Sequence, residues 1–141
     1  MNKRAIYRRA RELDAYFNSF PDWYWALGLH DAKILSAAAL ELPPDWKTQP
    51  PCYNCLELII DAAGAMYDQK VQKISLYNYK ILTPDFDLHR LSGAWWLGDE
   101  LIAEEDGKYR LQLTFQVFET AHERDYTVDI RFAKAEVERK K

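Results

Sequence analysis

The chain has 141 residues, the size of one domain, and carries a formal net charge of −3, which argues against a general nucleic-acid binder because phosphate contacts need a basic field. Its hydrophobic share of 48% and charged share of 29% exclude a disordered chain and predict a core that needs no staples. Aromatics stand out at 14%, with nine Tyr, six Phe and five Trp, and their bulk and strand preference lean the fold toward β. No apolar run follows the basic residues at the start, so a secretory signal is not expected. Nor does any window approach the roughly 20 apolar residues that span a bilayer. With two Cys, a reducing cytoplasm is the expected location, and neither membrane nor nucleic acid is an expected partner.

In chain order, Ile6, Ala10, Leu13, Phe17 and Phe20 recur at three- and four-residue steps, which predicts an amphipathic helix over 1–20 that ends at Pro21. From Leu29 the period changes to two. Asp31 to Leu42 reads as a strand, although its alanines would also allow a helix. Pro43 to Pro51, with its four prolines, reads as a surface loop. Leu56 to Ile60 is a short apolar run fitting a covered strand. Asp61 to Lys70 is a loop, and Ile74 and Leu76 alternate with Lys73, Ser75 and Tyr77.

The clearest alternation runs from Lys108 to Phe118, with Tyr109, Leu111, Leu113, Phe115 and Val117 on one face. It returns in Tyr126, Val128, Ile130 and Phe132, after a polar loop from Glu119 to Asp125. Such a period marks strands with one wet face, as antiparallel sheets permit. Gly107 offers the positive φ of a tight turn before the first of these strands. The expectation is one α+β domain over 1–141. An N-terminal amphipathic helix packs on a strongly twisted, mainly antiparallel sheet of about six strands, the β-rich body covering 29–137.

Leu29-His30-Asp31-Ala32 and Gly93-Ala94-Trp95-Trp96-Leu97 resemble the strand entrance and the central element of the bacterial domain-of-unknown-function family numbered 4085. The resemblance spans roughly residues 29–137 and implies no activity, cofactor or catalytic residue. Some small bacterial proteins with a similar strand entrance look like toxin-immunity partners, which implies a binding role.

Residues that carry chemistry are few. His30 and Asp31 could pair as a general base and its orienting carboxylate, but neighbours on a strand point to opposite faces and should not meet. Cys52 and Cys55 have the spacing of half a zinc site or a thiol pair, yet no second ligand pair exists, so ordinary reduced thiols are expected and no metal. No Gly-rich phosphate loop or nucleophile elbow occurs, and no cofactor is expected.

Trp95 and Trp96 should point to opposite faces, one to the core and one outward. With Trp23 and Trp25, and with Asp99 and Glu100 of the acidic stretch 99–106, they form a candidate protein-docking surface. The expectation is thus a non-enzymatic, immunity-like protein-binding domain, with a homodimer as a further expectation. The alternative is a small-ligand-binding domain or hydrolase whose pocket gathers His30, Asp31 and His89.

Overall fold

A computed structural model describes residues 20–43, 52–119 and 122–141. It holds eight strands in one antiparallel sheet: β1 (Lys33–Glu41), β2 (Asn54–Asp61), β3 (Val71–Tyr77), β4 (Lys80–Ile81), β5 (Trp95–Ala103), β6 (Tyr109–Glu119), β7 (His122–Phe132) and β8 (Lys134–Arg139). Only two 3-10 turns, Leu88–Leu91 and Glu105–Gly107, interrupt them. The α+β expectation of a helix on about six strands is therefore corrected to an eight-stranded, nearly all-β fold among the described residues. The helix predicted over 1–20 lies, apart from Phe20, outside the described residues.

The physical reason for the difference is how the inner face of the sheet is covered. The strands run in the order β4-β7-β6-β5-β1-β2-β3-β8. Yet β8 continues β7 past the single residue Ala133, and β4 continues β3 past Asn78 and Tyr79. Both ends of the order therefore belong to the same two bent ribbons: Tyr77 pairs with Lys134 on one side of the bend and Lys80 with Arg131 on the other. The Ala133 N–H bridges the bend to the Tyr77 carbonyl at 2.9 Å. The sheet thus closes into a ring and buries its apolar face against itself, as a barrel does.

Asn54 fastens the bend. Its side-chain oxygen accepts from the Tyr79 N–H at 2.8 Å, and its amide donates to the Tyr79 carbonyl at 3.2 Å. Asn78 takes the left-handed conformation there (φ 52), which short polar side chains tolerate.

Alternation then fills the interior. Leu56, Leu58, Ile74, Leu76, Leu111, Leu113, Phe115, Val128, Ile130 and Phe132 are fully buried in one cluster. The polar loop predicted from Glu119 to Asp125 is shorter than expected, since β6 runs to Glu119 and pairs there with His122. The acid-rich turn before β6 holds both Asp106 and Gly107 at positive φ, as a tight reversal requires.

The ring is weakest between β1 and β5. Only Lys33 and Trp95 form a ladder pair, with four further backbone bonds joining Asp31, Ala32 and Ile34 to Gly93, Ala94 and Trp96 at 2.7–2.8 Å. Beyond this seam the two strands part in opposite directions.

Candidate functional site

Segment 20–31 closes one mouth of the ring. Trp23 is partly buried and meets Tyr109 and Phe132 edge-on at 5.5 and 5.8 Å, while Trp25 (3% exposed) stands edge-on to Trp96 at 5.3 Å. Ala26 and Leu27 both take positive φ, turning the chain sharply after Trp25. Gly28 lies so close to a neighbouring loop that a Cβ would meet the Asp68 nitrogen and the Trp25 carbonyl oxygen, each at 2.9 Å. Gly28→Ala is expected to cost roughly 1–3 kcal/mol through this backbone overlap, measured by urea unfolding.

At the centre of the plug sits Asp99. Its Oδ1 accepts the indole N–H groups of Trp25 and Trp96, each at 2.9 Å, and its Oδ2 accepts the Tyr24 hydroxyl. A β-bulge makes this possible. The register of β5 on β6 shifts between Trp96 and Gly98, so Asp99 pairs with the inward Leu113 and joins Trp96 and Leu101 on the inner face. Burial pushes the Asp99 carboxyl above the usual carboxylate range, and the hydrogen bonds from Tyr24, Trp25 and Trp96 only partly offset that. Asp99 is thus the acceptor that locks the plug to β5, whereas the sequence placed it on an acidic docking surface with Glu100. Glu100 alone of the two is exposed.

Trp95 and Trp96 do face opposite ways: Trp96 is fully buried and Trp95 is 37% exposed. Lys33, its ladder partner, places its ammonium 5.7 Å from the Trp95 ring centre. Around them the structure exposes apolar groups that the sequence did not single out. Leu35 is the unpaired residue of a bulge between Ile34 and Ser36 and stands 49% exposed. Met66 and Tyr67 are 52% and 78% exposed, and their backbone N–H groups bond the carbonyls of His30 and Gly28. Residues 28–35 therefore form a spine to which Trp95, Leu35, Met66 and Tyr67 attach. Beside Leu35 lies a cleft of about 580 Å³ whose lining includes Ile59, Glu57, Asp61, Lys73 and Glu138.

His30 and Asp31 meet, against the expectation for strand neighbours. Asp31 has φ 72, which puts the pair in a turn, and Nδ1 of His30 lies 3.1 Å from Oδ2 of Asp31. The contact is not a hydrogen bond, and that nitrogen has no hydrogen-bond partner among the described residues. His89 is exposed in the 3-10 turn Leu88–Leu91, which adjoins β1 and β6. No hydrogen bond or ion pair links it to His30 among the described residues. Neither histidine lines the Leu35 cleft, the charged cleft of about 520 Å³ at Glu104 and Arg131, or the cleft of about 490 Å³ at Leu40 and Tyr53.

Cys52 and Cys55 are free thiols. Burial pushes the Cys55 thiol up, with hydrogen bonding to Ser75 pulling the other way, so it is a poor nucleophile. Among the described residues no three His, Cys, Asp or Glu side chains converge as metal ligands. No helix among them is long and apolar enough to cross a membrane.

No protein-family model, curated protein or solved structure matches the chain.

Proposed function

We propose that the protein is a non-enzymatic protein-binding domain that works through the outer face around Trp95 and Leu35. The observation that carries this reading is the grouping of exposed Trp95, Leu35, Met66 and Tyr67 along one spine, with Leu35 lining a cleft of mixed apolar and charged residues. Apolar groups on that scale outside a filled core mark recognition surfaces, and a half-exposed Trp with a cation on its ring is a typical binding anchor. The best-placed carboxylate, Asp99, has both oxygens engaged by structural donors, which favours binding over acid–base work. Free Cys52 and Cys55 suit a reducing cytoplasm, and an immunity-like partner is the form that the motif resemblance suggests.

The test compares the wild type with Leu35→Glu and Trp95→Ala as immobilised baits in extracts of cells that express the protein. A partner held by the wild type should be lost by Leu35→Glu and weakened about 30-fold by Trp95→Ala, the loss of roughly 2 kcal/mol that an anchoring Trp supplies. Equal retention by all three, with unfolding curves unchanged, would move the binding surface elsewhere.

A further inference from the structure

Among the described residues, the end of β1 past Ala37 is an open strand edge, the 3-10 turn Leu88–Leu91 adjoining the strand before it. On one side Ser36–Glu41 pair with β2, from Ser36 opposite Ile59 to Glu41 opposite Asn54. On the other side β5 is joined only as far as Ile34. Antiparallel ladders turn successive residues to alternate sides. The Leu42 N–H bonds the Tyr53 carbonyl, so the even residues from 36 to 42 address β2. Ala37, Ala39 and Glu41 then turn their backbone groups to the open side. The Ala37 N–H finds the Ser92 hydroxyl at 3.3 Å. Among the described residues, no hydrogen bond reaches the open side of Ala39 or Glu41.

Natural edges of this kind are blunted by Lys, by Pro or by an inward charge. Here Ser36-Ala37-Ala38-Ala39-Leu40 has none of these, and Ser36, Ala38, Ala39 and Leu40 are all exposed. The N–H and C=O groups of Ala39 and Glu41, unpaired among the described residues, fit an extended strand, and the strand's own sequence supplies one.

We propose that β1 of one molecule pairs antiparallel with β1 of a second copy, joining two sheets across a twofold axis at Ala39. With Ala39 opposite itself, Ala37 faces Glu41 of the second copy, and the three pairs all use residues whose backbone groups point away from β2, the Ala37 N–H exchanging its bond to the Ser92 hydroxyl for the Glu41 carbonyl of the second copy. Leu40, 39% exposed, then lies opposite Ala38 of the second copy, a large side chain against a small one. The one charge in the pairing segment 36–41, Glu41, meets Ala37 and not another Glu41. A twofold operator makes every contact occur twice, as isologous dimers require. Six residues per copy make a small interface, so the association is reversible, on the order of micromolar or weaker.

Sedimentation of the full chain over a wide concentration range tests this. The wild type is expected to pass from monomer to dimer. Ala39→Pro is expected to stay monomeric with an unchanged far-UV spectrum, because residue 39 gives no bond to β2 and proline is tolerated on an edge. Trp95→Ala is expected to dimerise like the wild type, which keeps this surface separate from the one proposed for a partner protein.

Hydrogen exchange of the wild type adds a measurement free of any folding defect in the variant. The Ala39 and Glu41 amides should exchange at least about tenfold more slowly at high protein concentration than at low. Dimerisation of a folded Ala39→Pro, a wild type monomeric up to about 1 mM, or protection of those amides independent of concentration would each overturn self-pairing. The last result would assign the edge to another occupant.

Discussion

Replacing Asp99 by alanine is expected to destabilise the fold by on the order of 3 kcal/mol, since it removes the carboxylate on which three donors of the plug converge. The indole N–H groups of Trp25 and Trp96 both end on one carboxylate oxygen and the Tyr24 hydroxyl on the other. Trp25 and Tyr24 are 3% and 5% exposed, so water does not readily replace the lost acceptor. The Asp99→Asn variant separates charge from shape. Its amide oxygen can still accept both indoles, and its nitrogen can donate to the Tyr24 oxygen.

Ionisation gives the pair of variants a pH signature. Burial raises the folded carboxyl of Asp99 above its unfolded value, so the folded state holds the proton more tightly. The stability this contributes is complete below the unfolded pKa of an Asp, and it is lost as pH rises through the raised folded value. Wild type should therefore lose stability relative to Asp99→Asn as pH climbs from about 4 toward neutrality. Urea unfolding of both proteins at each pH measures it, because the difference cancels the other titrating groups. A flat difference would mean that the three hydrogen bonds balance desolvation, and one that grows in favour of the wild type that they outweigh it.

The same residue shows where sequence reading succeeded and where it failed. Alternation in β6 and β7 put Leu111, Leu113, Phe115, Val128, Ile130 and Phe132 on the buried face, and all six are fully buried. Those strands obey a strict period, and a period is legible. Asp99 was misplaced because a bulge breaks the period: strict alternation from Trp96 carries Gly98 and Glu100 inward. The available signal was Gly98, since a glycine inside an alternating strand often marks a bulge. Leu35 was hidden by the second bulge, where no glycine gives warning.

Ring closure was not legible either. It depends on the bends at Asn78 and Ala133, and on a two-residue strand, Lys80–Ile81, too short to show any period. The contact of His30 with Asp31 depends on one positive φ, at Asp31, that no glycine signals in the sequence. What remained readable of the candidate surface was the pair Trp95 and Trp96, whose opposite orientations follow from the pleat alone.

That pair supports the other large prediction. Trp96→Ala is expected to cost about 3–5 kcal/mol, the range for emptying a buried aromatic site, and Trp95→Ala less than about 1 kcal/mol. Trp96 is fully buried, stands edge-on to Trp25 at 5.3 Å and gives its N–H to Asp99, so its loss opens a cavity and also loosens the plug. Trp95, one residue earlier, gives up only part of its area and a contact with Lys33. Coupling sharpens the test. Trp96 and Asp99 share one hydrogen bond, so Trp96→Ala combined with Asp99→Ala should cost less than the two single changes added together, by at least about 0.5 kcal/mol. Trp95→Ala combined with Asp99→Ala should be additive, because the two side chains lie on opposite faces of β5. Equal losses for the two tryptophans would place both rings in the core and remove the anchor from the proposed binding face. A large loss at Trp96 beside a small one at Trp95 leaves the exposed ring free of structural duty, as a surface kept for recognition requires.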